Sequence, residues 1–192
     1  MSAERGGTEG NTNGYDGPIT GVVLAGGRSR RLGRNKAMET VGGVLLISLV
    51  IAAGQPMSNS LIVVVADQDQ AECLPLPPHA RTVIDTYPNA GSLGGIFTGL
   101  NASGTTWALI VACDMPFINA ELILQMAGSR TNFDLVVPVL DGRPEPIHAL
   151  YSKRCLNPIQ DAVQTGRLRI TRFFDSMAVN YFTQDQVELI DP

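Results

Sequence analysis

From Gly26 to Lys36 the chain reads GGRSRRLGRNK, a glycine pair followed by Arg28, Arg30, Arg31, Arg34 and Lys36, five of the 14 Lys and Arg of the whole protein within nine positions. Glycines directly after an apolar run let the backbone turn sharply and aim its amides at a ligand with no Cβ in the way. Phosphate is the guest that such amides and cations suit. The plainer alternative is an exposed basic loop. The spacing is not that of Walker A, because five residues separate Gly27 from Gly33, Lys36 does not follow the second glycine, and Ala37 replaces the Ser or Thr; nor is it GxGxxG. Two carboxylates follow other apolar runs. Asp114, after WALIVA and Cys113, suits magnesium, which takes one or two carboxylates, keeps water and bridges to substrate phosphate. Asp85 follows Thr82 to Ile84. Either aspartate can instead simply shape a turn.

The elements that must hold these residues follow from the hydrophobic pattern. Ile19 to Leu24, Leu61 to Ala66 and Trp107 to Ala112 are short apolar runs without alternation, as in strands buried on both faces. Thr82 to Ile84, Asp134 to Val139 and Ile147 to Tyr151 are further strands, and Ala178 to Phe182 and Val187 to Ile190 are weak late ones. Helices are expected over Val44 to Ala53, Ile96 to Ala102, Ala120 to Ala127 capped by Asn119, Leu156 to Val163, and near Arg172 to Asp175. Asp67 to Glu72 reads as polar loop or helix start, Leu74 to Pro78 has too many prolines for regular structure, and Tyr87 to Gly95 reads as loop. Strands alternating with helices predict an α/β sandwich with a mainly parallel sheet. Ligands of such sheets sit beyond the strand carboxyl ends, which groups the loops after Leu24, Ile84 and Ala112.

With 192 residues, 44% of them hydrophobic, the chain can bury one sizeable core, so one domain is expected, residues 18–192, behind a disordered tail, Met1 to Gly17. No apolar run approaches the roughly 20 residues of a membrane span. The N-terminus lacks a secretory pattern, and Cys73, Cys113 and Cys155 form no disulfide framework, so reduced thiols and a cytoplasmic location are expected. A formal charge of −4 and a pI near 5.1 disfavour nucleic acid, leaving a small anionic ligand as the better match.

The run LAGGRSRRLGRNKA, Leu24 to Ala37, resembles the signature LAGGxSxRMGxxK of nucleotidyltransferases with a Rossmann-like fold, above all the molybdenum cofactor guanylyltransferase family. Val83 to Asp85 and GSLGGIFTG, Gly91 to Gly99, resemble that family's VxxD followed by GPLGGIxxG. VACDMP, Val111 to Pro116, is similar to its strand ending in CDxP. GRPEPIHALY, Gly142 to Tyr151, is similar to its GRxxPLxAxY, which separates the family from the related cytidylyltransferases better than the first loop does. The likeness runs from about Ile19 to Arg172.

The resemblance implies a three-layer, Rossmann-like sandwich and transfer of GMP from GTP to the terminal phosphate of molybdopterin, with release of pyrophosphate. It implies nucleotide binding by Leu24, Ala25, Gly26 and Gly27 through backbone groups and by Asp85. Lys36 and Asp114 become the catalytic pair, Lys36 on the phosphates and Asp114 on Mg2+. One such ion pair at about 4 Å gives on the order of 4 kcal/mol at an intermediate effective dielectric. Arg28 and Arg31 are assigned to phosphate or to the pterin phosphate, and the turn Pro144 to Pro146 to the pterin side, although an ordinary hairpin corner would read the same way. Gly94 and Gly95 let backbone approach the base, or make a tight start to a helix. His148, in an apolar strand, reads as a packed core residue. The resemblance leaves room for docking to chaperones of molybdenum enzymes or other cofactor-biosynthesis proteins. A cytidylyltransferase or sugar-phosphate nucleotidyltransferase, or a catalytically weak nucleotide-binding module, are the alternatives.

The chain departs from the family pattern at three places. Asn35 replaces the Asp common before the lysine. Val65 to Asp67 stand at a strand end where some relatives have an Asn. The family's C-terminal Asn-x-Asn-Thr-Pro segment is expected to be missing, so that GTP binding survives while transfer is weak.

Overall fold

Strand β1, Ile19–Leu24, sends alternate side chains to opposite faces: Val22 enters one core with Ile62, Val64, Ala108 and Ile110, and Val23 enters the other with Val63, Val65, Leu109 and Val111. Both faces are therefore apolar, which explains the unbroken runs in the sequence. The computed structural model describes residues 17–26, 36–54 and 60–192, and the elements and contacts reported are those among these residues. The expected tail lies outside them, apart from Gly17.

After β1 come a 3-10 turn, Lys36–Met38, then β2, Thr40–Val41, and β3, Val44–Leu45, followed by α1, Leu46–Gly54, and β4, Leu61–Val65. Next are α2, Gln68–Cys73, β5, Ala80–Ile84, α3, Ser92–Ala102, β6, Trp107–Ala112, and α4, Ala120–Gly128. The chain ends with β7, Leu135–Leu140, β8, Arg143–Pro144, β9, His148–Ser152, α5, Leu156–Gln164, β10, Val179–Phe182, and α6, Gln184–Glu188.

The main sheet runs β10-β7-β9-β6-β1-β4-β5, with β8 added to β7. Pairings of β1 with β4 and β6, of β4 with β5 and of β10 with β7 are parallel, whereas β9 is antiparallel to both β6 and β7. Helices α1, α2, α4 and α6 cover one face, packing Ile47, Ala71, Ile123 and Val187. Helices α3 and α5 cover the other with Leu93, Ile96 and Ile159. This is a three-layer α/β sandwich, as expected.

Four local expectations are corrected. Val44 and Leu45 are not helical: they pair antiparallel with Val41 and Thr40 across Gly42 and Gly43, whose φ values of 59° and 82° meet the positive-φ requirement of a two-residue hairpin turn. Helix α3 begins at Ser92 rather than Ile96, because its glycines serve close packing. A Cβ at Gly99 would stand 2.2 Å from Val22 Cγ1, and one at Gly94 2.4 Å from the Tyr87 carbonyl oxygen. Val187 to Ile190 is not a strand: Thr183 and Gln186 form a capping box that starts α6. The short helix near Arg172 is 3-10 and longer, Ile170–Ser176.

Candidate nucleotide site

Hydrogen bonds one residue beyond the sheet ladder lace four strand ends together. Cys113 N–H donates to Leu24 O at 3.2 Å, Ala25 N–H to Val64 O at 2.8 Å, and Asp85 N–H to Val65 O at 2.8 Å. The chain segments after β1, β4, β5 and β6 thus leave one edge of the sheet side by side. Over this edge opens a cleft of about 1030 Å³. Leu24, Val64 and Ala112 line it from the strands, Gly91, Ser92 and Gly95 from the start of α3, and Leu168 and Ile170 from the segment after α5. Gly26, Asp85 and Asp114 line the same cleft, so with Leu24 the structure brings together four of the positions assigned to nucleotide or metal in the sequence. Ala25 is buried beside them. Gly27 and the side chain of Lys36 lie outside the described residues, as do Arg28, Arg31 and Asn35.

The two aspartates are held differently. Asp85 is half-buried, and its Oδ1 accepts from Tyr87 N–H and from the Thr98 hydroxyl, both at 2.9 Å. Thr98, 3% exposed on α3, in turn accepts from Thr86 N–H at 2.9 Å. This locks the turn from β5 toward α3 and fixes the carboxylate at the cleft wall. Asp114 is exposed, two residues beyond the end of β6. It precedes Asn119, whose Oδ1 caps α4 by accepting from Glu121 and Leu122 N–H.

Thr98 was not legible as a site residue, since a threonine within a helix has no motif of its own. Gln70 is a second such residue. Its Nε2 donates to Ala25 O at 2.8 Å and its Oε1 accepts from Ala66 N–H at 2.9 Å. Asp67 is the N-cap of α2 and accepts from Gln70 N–H at 2.9 Å. The spacing Asp67-x-x-Gln70 resembles a capping box and was the available signal. Gly26 runs tightly past this junction, where a Cβ would meet Ala66 N at 3.1 Å and Val65 C at 3.2 Å.

The wall toward β9 contributes Ile147. The turn before it is held by Glu145 N–H donating to Pro138 O at 2.8 Å and by the buried Tyr151 hydroxyl donating to Pro146 O at 2.7 Å. His148 is mostly packed away, its Nε2 buried without a hydrogen-bond partner. Burial holds its pKa below the ordinary value of 6.5, against a smaller opposing influence of Asp191. Burial likewise pushes the Cys155 thiol up to about 12, so that it remains protonated. Near the end of the chain, Asn180-Tyr181-Phe182-Thr183-Gln184 keeps the first Asn and the Thr of the Asn-x-Asn-Thr-Pro spacing. There the Asn180 amide donates to Ser129 O at 3.0 Å and Thr183 caps α6.

A mostly parallel sheet with helices on both faces and a cleft over the strand carboxyl ends defines the Rossmann-like class of α/β proteins. The profile of the MobA-like NTP transferase domain matches residues 21–179. The chain is 32% identical over 171 residues to a probable molybdenum cofactor guanylyltransferase of Pelotomaculum thermopropionicum, covering 89% of this chain and 82% of that protein. It is also 32% identical over 176 residues to the molybdenum cofactor guanylyltransferase of Desulfosudis oleivorans, covering 91% and 85%. The crystal structure of molybdopterin-guanine dinucleotide biosynthesis protein A from Archaeoglobus fulgidus superposes with a TM-score of 0.77 at 27% identity, over 90% of this chain and 87% of that one. The chain belongs to the MobA-like NTP transferase family, in the group of the molybdenum cofactor guanylyltransferases, and is a nucleotidyltransferase.

Proposed function

We propose that the protein transfers GMP from GTP to the terminal phosphate of molybdopterin with release of pyrophosphate. The observation that carries this is the meeting of Gly26, Asp85 and Asp114 on one cleft at the sheet edge, in a chain whose 32% identical relatives are named for this activity. A phosphate oxygen of the acceptor attacks the α-phosphorus of GTP. The new P–O bond forms as the bond from that phosphorus to the β-phosphate oxygen breaks, and pyrophosphate leaves. Such a transfer needs alignment and charge neutralisation more than a protein nucleophile.

In this reading the backbone of Leu24 to Gly27 holds the nucleotide, Lys36 holds its phosphates, and Asp85 faces the base or ribose. Asp114 is the ligand for Mg2+. The donor present suits that ion: Asp114 offers an exposed carboxylate oxygen on the cleft. Magnesium commonly takes one or two carboxylates and fills its shell with water and phosphate oxygen. When bound, it neutralises charge on the triphosphate and the departing pyrophosphate.

The test is pyrophosphate release from GTP, CTP and UTP with magnesium and molybdopterin. GTP turning over best, and only with the acceptor present, is the expected result. Preference for CTP would assign the chain to the cytidylyl chemistry of the same fold, and binding without release would make it a nucleotide-binding module.

A further inference from the structure

We propose that Gln70 is a positioning residue for the nucleotide site, setting the orientation of the Ala25–Gly26 peptide; the inference rests on the functional reading above. One hydrogen bond falls on that peptide and another on the peptide just before it. On one side Ala25 N–H continues the ladder to Val64 O at 2.8 Å. On the other, Ala25 O lies one residue past the end of β1 and accepts from Gln70 Nε2 at 2.8 Å. The same amide accepts from Ala66 N–H at 2.9 Å, and Asp67 holds the backbone of Gln70 at 2.9 Å. One side chain therefore ties the ends of β1 and β4 to the start of α2.

In a planar trans peptide the carbonyl and the following N–H point in opposite directions. With Ala25 O turned toward α2, Gly26 N–H is turned away from it. Helix α2 packs on the face of the sheet that also holds α1 and α4, whereas α3 borders the cleft from the other face, across from Ala66 and Asp67 at the start of α2. Gln70 thus turns the Gly26 amide toward the α3 side of the cleft, where the proposed nucleotide would meet it. The close passage of Gly26 against Ala66 N, 3.1 Å from where a Cβ would stand, leaves this peptide little room to choose another path.

The experiment compares Gln70→Met, which keeps the volume and loses both amide bonds, with Gln70→Glu, which keeps an acceptor for Ala66 N–H but sets an oxygen against Ala25 O. Gln68→Ala is the control, removing only an exposed bond on the same helix, Gln68 Nε2 to Glu72 Oε1 at 3.0 Å. Both Gln70 variants are expected to weaken GTP binding in calorimetry about fivefold to tenfold, as loss of an orienting hydrogen bond predicts. They raise the KM for GTP more than they lower kcat, while Gln68→Ala binds as the wild type does. In amide NMR spectra without nucleotide, the Gly26 signal shifts in both Gln70 variants and those of Val22 and Val23 do not. Wild-type GTP affinity in Gln70→Met and Gln70→Glu, or a Gly26 signal that stays in place, overturns the proposal. A wild-type protein that binds no nucleotide overturns the functional reading instead, and the NMR comparison still decides whether Gln70 orients this peptide.

Discussion

At the carboxyl end of α3 polar groups close on one another, whereas at its amino end the backbone opens on the cleft. Ser103 and Ala102, at the carboxyl end, give their carbonyls to Lys153 Nζ and to the Arg81 guanidinium, both at 2.7 Å. Two cations there satisfy last-turn carbonyls and complement the helix dipole. Around them Thr20 N–H donates to Thr105 Oγ1 at 3.0 Å, and the Thr105 hydroxyl donates to Trp107 O at 2.6 Å. The amino end starts at Gly91, φ 59°, with no side-chain cap, and both Gly91 and Ser92 line the cleft. The same helix is sealed at one end and left without a side-chain cap where it lines the cleft. Polar residues at the first end are expected to govern stability, and those at the second end turnover and affinity.

The largest effect expected from this contrast is at Asp114. Asp114→Ala should lower turnover about a hundredfold or more, the scale of losing an electrostatic or metal contact to the transferring phosphate. Because Asp114 is exposed, the melting temperature should stay within a degree or two of wild type. Unchanged magnesium dependence in the variant would remove Asp114 from the metal.

The two lysines of the chain sharpen the comparison. Lys36→Ala is expected to weaken triphosphate binding about tenfold and leave unfolding unchanged, as the proposed charged contact to the phosphates predicts. Lys153→Met is expected to do the reverse, costing about 1 kcal/mol of stability in denaturant titration, with GTP affinity unchanged. A Lys153 variant that loses affinity would break the division between the two ends.

Thr98→Val, a change of nearly equal shape, probes the boundary between the two roles. It strips one hydrogen bond from Asp85 and leaves Thr86 N–H without its acceptor. We expect about 1 kcal/mol less stability together with about threefold weaker nucleotide binding. Loss of stability alone would make the Asp85 lock purely structural.

These contrasts were unevenly legible in the sequence. Strands β1 and β6 could be read to the residue because both faces of each are apolar, with Pro18 and the Ala25-Gly26-Gly27 run around the first and Thr106 and Cys113-Asp114 around the second. Gly26, Asp85 and Asp114 were legible because a strand followed by a chemically distinctive residue is a local pattern, and the sheet then gathers the three without further coding. The start of α3 was not, since Gly94 and Gly95 count against a helix by intrinsic propensity, while the close approach of the Tyr87 carbonyl requires the glycine at 94. At α6 the apolar Val187 and Ile190 suggest a strand, whereas the Thr183 and Gln186 spacing carries the helix signal. Thr98 and Lys153 act through carbonyls, amides and carboxylates brought close only by the fold, so no neighbouring residue announces them, and for Gln70 only the Asp67-x-x-Gln70 spacing does.

The smallest expected effect concerns His148, which belongs to neither end's hydrogen-bond network. Burial lowers its pKa in the folded protein below 6.5, and Asp191 opposes this only in part. As pH falls below about 6.5 the unfolded chain takes up a proton on this imidazole before the folded chain does, so stability should fall with decreasing pH down to the folded pKa and then level off. Above about 6.5 the residue is neutral in both states and contributes no slope. His148→Gln should flatten this part of the profile in urea titrations between pH 7.5 and roughly 5, leaving the remaining slope to other groups. If wild type and variant lose stability in parallel, His148 takes up its proton as readily folded as unfolded, and the buried Nε2 must then reach water or a partner at low pH.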